Sequence, residues 1–373
     1  MVLPGETTLT VALLLCYPSD VFIETGTSDG NGVQIALDAG FRKIFSIEID
    51  SRKVLAAQQR FSELIQKGIV SIIEGDSVNI LPQIINNIGQ LRATFWLDAH
   101  WDNGPQGVKR CPLYDELESI KSHKRNDHNI LIDDRRIFGI PGSNWGEGIS
   151  EQAIISLCFT INKLYNKQLH DGVVPDDIIC FSVPDKTHYI IDAGAHRGDA
   201  SDMFLAKYPD AHIIAFEPSS SLYRDLSIKY NKQCRVNISQ LAIAERNGYF
   251  DFISDSPYSQ DGTISKIHNL GISSWNPTSY ETHLVKAVSL SEIICAMNRM
   301  SMPIIIKLDI ESAEYPVLQS LLSSRALCRN ITSIYCEFHS KYMDVDNIYY
   351  YQQLEKIFAA ICINYDVNLY LWQ

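Results

Sequence analysis

The 373-residue chain has no excess of positive charge, no paired cysteine spacing, no low-complexity tract and no apolar run long enough to cross a bilayer. Each absence removes a class of function. A formal net charge of −12 argues against a general nucleic-acid binder, because neutralising phosphates takes a basic face. Nine cysteines, an odd number scattered along the chain, read as reduced thiols of a cytoplasmic protein. Cys16, Cys158, Cys180 and Cys362 have apolar neighbours and are expected in the core. The apolar stretch 9–17 is too short to span hydrocarbon, and no basic leader precedes it, so it is expected as a buried helix or strand without a membrane span. A hydrophobic content of 46% with 20% charged residues excludes disorder as the general state. The length is comfortable for two domains, each able to bury its own core.

What is present is a fold that starts twice. At mid-chain Tyr189-Ile-Ile-Asp-Ala-Gly-Ala-His-Arg-Gly-Asp199 reads as a buried strand, a glycine turn and the start of a helix over 200–207. Glycines let backbone N–H groups approach a ligand at the helix N-terminus. A second strand, His212-Ile-Ile-Ala-Phe-Glu217, ends in an acid suited to paired ribose hydroxyls. Upstream, Val21-Phe-Ile-Glu-Thr-Gly-Thr-Ser-Asp-Gly-Asn-Gly32 leads to Lys43-Ile-Phe-Ser-Ile-Glu48 in the same order, with Glu48 in the place of Glu217. Neither turn has the Gly-x-Gly-x-x-Gly spacing that brings backbone up to a pyrophosphate, which counts against a nicotinamide oxidoreductase.

In the first half a strand over 69–74 ends at Gly75-Asp76-Ser77, placing Asp76 and Ser77 to meet an adenine edge. The strands Ala93-Thr-Phe-Trp-Leu-Asp98 and Asn129-Ile-Leu-Ile-Asp-Asp134 also end in acids. Asp98, Asp133 and Asp134 are expected at one sheet edge, where their charge costs free energy unless a cation neutralises it, and oxygen ligands suit Mg²⁺. Alternatively, one or two of them cap helices or touch a bound cofactor. Together with Phe22-Ile-Glu-Thr-Gly, Ser46-Ile-Glu-Ile-Asp and Trp96-Leu-Asp-Ala-His-Trp, this set resembles the catechol O-methyltransferase type of cation-dependent methyltransferase over roughly the first 140 residues.

That resemblance implies S-adenosylmethionine over the turn, at Glu24, Gly26, Thr27, Ser28 and Gly30, with Glu48 and Ile49 at the ribose and Asp98 nearby. It also implies magnesium on Asp98, Asp133 and Asp134. Asp134 departs from the family, which commonly has an amide there, and the family's lysine after the first metal acid is not matched by His100 or Asp102. His100 is carried as the catalytic candidate. The glycine-rich loop 139–148, with Trp145, reads either as a flap over a substrate or as a surface connection.

In the second half the most specific segment is Lys307-Leu-Asp-Ile-Glu-Ser-Ala-Glu314, where Lys307, Asp309 and Glu311 alternate to one side of a strand end. With Ile190-Ile-Asp-Ala-Gly-Ala-His-Arg-Gly-Asp, Ala215-Phe-Glu-Pro and Cys336-Glu-Phe-His it resembles the FkbM family of methyltransferases over about residues 189–340. Ser312 stands where that family usually has glycine. The resemblance implies a methyl donor held by Asp192, Gly194, His196, Gly198 and Glu217, with Ala242 and Asp309 alongside. It puts Lys307, Asp309, Glu311, Glu337 and His339 on the acceptor side, with His339 or Lys307 as base. A lysine that merely bridges neighbouring acids is the plainer reading of Lys307, and a second metal on Asp309 and Glu337 is a further option. The loop region 254–283 adds Tyr258, Trp275 and Tyr280, which read either as aromatic surfaces on which sugars stack or as anchors of the loop to the core.

The expected fold is α/β: two consecutive Rossmann-like class I methyltransferase domains, 1–183 and 184–373, each a mostly parallel seven-stranded sheet flanked by helices. The expected function is S-adenosylmethionine-dependent O-methylation by both domains, most naturally on a carbohydrate. Rival readings are one active domain with a scaffold domain, and a phenolic or polyketide acceptor.

Overall fold

Short apolar runs that end in an acid become buried strands in both halves of the chain, and the amphipathic segments after them become helices. The computed structural model describes residues 7–100, 111–143, 145–183, 188–254, 256, 262–265, 281–300, 302–342 and 345–372. Contacts within the chain divide it into two compact units, residues 1–37 with 41–185 and residues 38–40 with 186–373.

In the first unit the strands are β1 (Val21–Thr25), β2 (Ile44–Glu48), β3 (Val70–Glu74), β4 (Ala93–Leu97), β5 (Asn129–Ile132), β6 (Asn166–His170) and β7 (Ile178–Ser182). They form one sheet in the order β3-β2-β1-β4-β5-β7-β6. All neighbours are parallel except β7, which runs antiparallel to β5 and β6. Every residue of β1 and β4 is buried, as a parallel strand covered on both faces requires. Phe95, Leu97, Leu117, Ile130 and Phe181 are among the core side chains, each stabilising the fold by about 1.5–3 kcal/mol when removed from water. The chain leaves β1 toward β2 and β3 on one side and returns to β4 and β5 on the other. The ends of β1, β2 and β4 therefore meet at a reversal of strand order, where such sheets open a crevice.

The second unit repeats this plan. Its main sheet has the order β10-β9-β8-β14-β15-β16, built from β8 (Tyr189–Ala193), β9 (His212–Phe216), β10 (Val236–Ser239), β14 (Ile304–Leu308), β15 (Ile331–Cys336) and β16 (Asn368–Leu371). All five pairings are parallel. A separate three-stranded sheet, β11-β13-β12, uses β11 (Ala242–Ala244), β12 (Gly248–Ser254) and β13 (Glu281–Ser289). The expected seventh strand is absent among the described residues, so the main sheet has six. After β15 the chain runs through the 20-residue helix Val345–Asn364, and a helical crossover delivers the next strand parallel to its neighbour rather than antiparallel.

Residues 9–17 contain a helix, Val11–Leu15, with Leu13, Leu14 and Leu15 buried. Cys16, Cys158, Cys180 and Cys362 are buried, and all nine cysteines are free. No helix of the described residues is long and apolar enough to cross a membrane. Asp102, Asn144 of the 139–148 loop, residues 184–187 at the expected domain boundary, and the aromatics Tyr258, Trp275 and Tyr280 lie outside the described residues.

Candidate functional site

Each unit places a turn of the same construction after its central strand. Gly26, Ser28 and Gly30 have φ of 91°, 46° and 77°, and Gly194, His196 and Gly198 have 77°, 49° and 83°. The N–H groups of Gly26 and Thr27 both donate to the Ile47 carbonyl, at 2.9 and 3.2 Å, and those of Gly194 and Ala195 both donate to Phe216, at 3.1 and 3.0 Å. The next N–H reaches the acid at the end of the second strand. Ser28 donates to Glu48 Oε2 and His196 to Glu217 Oε2, each at 2.8 Å. Glu48 Oε1 also accepts from Ile49 and Asp50, and Glu217 Oε1 accepts from Ser219. Each carboxylate keeps lone-pair capacity for a diol, at Oε2 of Glu48 and at both oxygens of Glu217. Burial pushes the Glu217 carboxyl up to about 7, so added hydroxyl donors would favour its charged form.

The glycines are demanded by a close approach. A Cβ at Gly26 would stand 2.7 Å from the Asp98 carbonyl oxygen, and one at Gly194 would stand 1.9 Å from that of Asp309. At the turn's other flank, Asp76 Oδ1 caps the helix Ser77–Ile88 by accepting from Val78, and Ser77 is buried at its start.

Glu24 and Asp192, expected to touch the donor, are buried beneath the turns. Glu24 is 2% exposed and accepts from the Ser46 hydroxyl at 2.6 Å. Asp192 is 0% exposed and accepts from Ser201 at 2.7 Å. The second unit adds Lys307, whose ammonium donates to the Gly194 carbonyl at 2.7 Å and pairs with Asp192 at 3.5 Å and Asp309 at 3.3 Å. Burial opposes its charge, but Asp192 and Asp309 outweigh burial and raise its pKa above the ordinary lysine value. Lys307 is thus a buried cation tied to the turn and to both acids, the bridging arrangement that the sequence offered as its plainer reading.

In the first unit the ligating atoms of Asp98, His100 and Asp134 lie within 4.8 Å of one another. His100 Nδ1 is 3.2 Å from Asp98 Oδ1 and 3.7 Å from Asp134 Oδ2. Asp133 belongs to a different group, with Asp134 and Asp177. Its Oδ1 accepts from the Asp134 N–H and its Oδ2 from the Thr8 hydroxyl; burial first, then Asp98 and Asp134, push it up to about 8. Among the described residues, the ligating atoms that come together are thus those of two acids and an imidazole, with Asp133 in the neighbouring group. Arg136 pairs with Asp134 and with Asp177, so part of the negative charge is neutralised within the protein. The remaining donors fit a divalent cation, and their mixed character suits a borderline ion at least as well as Mg²⁺, which prefers oxygen. Trp145 stacks on the His100 ring at 4.1 Å, so the 139–148 loop covers this trio.

In the second unit a cavity of roughly 310 Å³ opens over the turn. Gly194, His196, Glu217 and Ala242 line one side, and Asp309, Glu311 and Glu337 another. Asp192, Gly198, Lys307 and His339 do not line it. His339 is 2% exposed, with Nδ1 3.1 Å from Glu314 Oε1 and Nε2 3.3 Å from Glu311 Oε2 and 3.7 Å from Glu337 Oε1. Burial opposes its charge, but Glu314 and then Glu311 outweigh it and raise the pKa to about 9. Glu337 faces the cavity with 29% of its side chain exposed; burial, then Asp309, raises its pKa above the ordinary value.

Two positioning residues are not singled out by the sequence pattern. Glu314 stands three residues beyond Glu311, at the start of the helix Glu314–Ser323. Thr263, which donates to the Glu311 carbonyl at 2.5 Å, has no local signal.

Residues 192–358 match the Methyltransferase FkbM domain. No curated protein matches the chain. Among solved structures it is similar to the SAH-bound methyltransferase PaMTH1 of Podospora anserina, with 16% identity over 45% of this chain and 73% of that one, at a TM-score of 0.30. It is also similar to an O-methyltransferase of Bacillus cereus in complex with SAH, with 14% identity over 46% of this chain and 78% of that one, at a TM-score of 0.35. A third is TomG of Streptomyces achromogenes, an O-methyltransferase of tomaymycin synthesis in complex with SAM: 15% identity, 46% and 77% covered, TM-score 0.32.

Proposed function

With an FkbM methyltransferase domain in the second unit as the premise, we propose that the chain is an S-adenosylmethionine-dependent O-methyltransferase with a donor site in each unit and a carbohydrate acceptor. The observation that carries this is the paired turn: Ser28 on Glu48 and His196 on Glu217, at the same 2.8 Å. Bound S-adenosylmethionine would supply an electrophilic methyl group. The protein's part is to align an acceptor oxygen with that group and to take its proton.

In the second unit Glu217 holds the ribose side, and the carboxylates of Asp309, Glu311 and Glu337 form an acceptor-rich wall. Such a wall suits a polyol, which offers several O–H donors, better than a phenol, which offers one. Glu337 is the group we assign to receive the proton as the new C–O–CH₃ bond forms. In the first unit Asp98, His100 and Asp134 would hold a divalent cation, which would lower the pKa of a bound hydroxyl. The stacked Trp145 favours a second reading for that unit alone, an aromatic hydroxyl acceptor.

Calorimetric titration with S-adenosylhomocysteine tests the proposal. Two sites are expected, one weakened by roughly hundredfold in Glu48→Ala and the other in Glu217→Ala, since each variant removes several charge-assisted hydrogen bonds. One site would make the unresponsive unit a scaffold, and none would end the methyltransferase reading. Assays of both units on free and glycosidic sugars against catechols then separate the acceptor classes.

A further inference from the structure

The match between the two units continues beyond the turns into the acids beside them. The Asp98 N–H donates to Thr25 at 3.2 Å and the Asp309 N–H to Ala193 at 3.3 Å, so the two aspartates hold the same place at a strand end. Two residues further on stand His100 and Glu311. The neighbouring strand end contributes Asp134 in one unit and His339 in the other. In each trio the ligating atoms lie within 4.8 Å of one another. The third places differ by one residue, since Asp133 and Glu337 share the position after that strand and Asp134 and His339 lie one and two residues beyond it, yet both units bring two carboxylates and one imidazole together.

We infer that the second unit binds a divalent cation through Asp309, Glu311 and His339, at the acceptor side of its cavity. The histidine is built for that task. Its Nδ1 is held at 3.1 Å by Glu314 Oε1, which also accepts the Ile310 N–H at 2.9 Å, and Glu314 is completely buried. A carboxylate on one ring nitrogen fixes the ring so that an ion displacing the proton of the other nitrogen finds its lone pair in place. That nitrogen, Nε2, lies 3.3 Å from Glu311 Oε2, near the roughly 3 Å edge of an octahedron with bonds of about 2.1 Å. Asp309 and Glu311 also line the cavity, so an ion there keeps an open side for an acceptor oxygen. One imidazole with two carboxylates suits Mn²⁺, Fe²⁺ or Zn²⁺.

The inference rests on the proposed function only in taking the cavity as the active site, and the ion's binding needs no methyl donor. The full chain, stripped with a chelator, is titrated with Mn²⁺ while free Mn²⁺ is read by electron paramagnetic resonance. Glu311→Gln and His339→Gln are each expected to weaken one equivalent by more than about tenfold, an equivalent that Asp98→Asn retains. Glu311→Gln is the deciding variant, because its side chain reaches the cavity, whereas replacing buried His339 also tests folding. Unchanged Mn²⁺ binding in Glu311→Gln, with the Glu217-dependent S-adenosylhomocysteine site intact, overturns the cation site and leaves the methyltransferase reading standing. A wild-type chain that binds no Mn²⁺ beyond the equivalent removed by Asp98→Asn overturns it too. Mn²⁺ bound as expected with no S-adenosylhomocysteine site supports the cation and sinks the methyltransferase reading instead.

Discussion

Below the turn of each unit lies a buried acid, and the two units keep it there by different means. Glu24 faces Trp96 on the adjacent strand, and Asp192 faces Lys307 in the equivalent register. The first unit offers only the Ser46 hydroxyl, and burial pushes Glu24 up to about 8. Its acid is thus held largely as a neutral group. The second unit supplies a full cation and keeps Asp192 in an ion pair. One backbone plan therefore tolerates two electrostatic solutions, and each makes its unit vulnerable to a different perturbation.

The sharpest way to break the comparison is Lys307→Met. It strips Asp192 and Asp309 of their cation, and a buried ion pair that loses one partner costs about 3–5 kcal/mol. The second unit should melt earlier and lose S-adenosylhomocysteine binding, while the Glu48-dependent site of the first unit is untouched. A general base would behave otherwise: donor binding would survive and only turnover would fall. Calorimetry and a melting scan on one sample separate the two.

A smaller contrast comes from the glycines. Gly194→Ala should destabilise its unit by about 3 kcal/mol or more and Gly26→Ala by about 2 kcal/mol, since the first drives a methyl much deeper into a fixed carbonyl. Urea unfolding reads both, and equal losses would mean that the two turns relax alike.

The smallest effect is on pH dependence. The unfolded chain ionises Glu24 near the ordinary 4.5, whereas the folded chain keeps the proton to about 8. Between those values the folded state binds more protons, so stability falls as pH rises through the window and levels off above it. Asp133, up to about 8, and Glu116 and Glu217, each up to about 7, act in the same direction. Glu24→Gln should flatten the slope of melting temperature between about pH 5 and pH 8 without abolishing it; an unchanged slope would assign the effect to the other raised groups.

The turns, the second-strand acids and the central strands are legible in the sequence because they are local. A glycine at positive φ and an acid ending an apolar run are written in consecutive residues. The edge strands β6 and β16 are not, since β6 is Asn-Lys-Gln-Leu-His and β16 is mostly exposed, and an edge needs no buried alternation. Nor is the true make-up of the first trio. Asp133 is drawn off by Thr8, 125 residues away, and Asp177 reaches Arg136 across 41. Such pairings exist only once the chain has folded. Lys307 reads as a base for a related reason: its alternation with Asp309 and Glu311 is visible in the sequence, but its strand partner Asp192 is not.

Glu311 and Ser312 are successive residues at φ of 49° and 75°, each held against its own preference by roughly 1 kcal/mol. The hold comes from Thr263 on the Glu311 carbonyl and from Glu314 on the Ile310 N–H. Both restraints belong to short segments outside the strands of the main sheet. In the language of local opening, this corner is a low-energy door: its amides should exchange with solvent well before those of β8 or β14. The carboxylate of Glu311 would then come and go with the fluctuation of one small segment, while the sheet beneath stays closed.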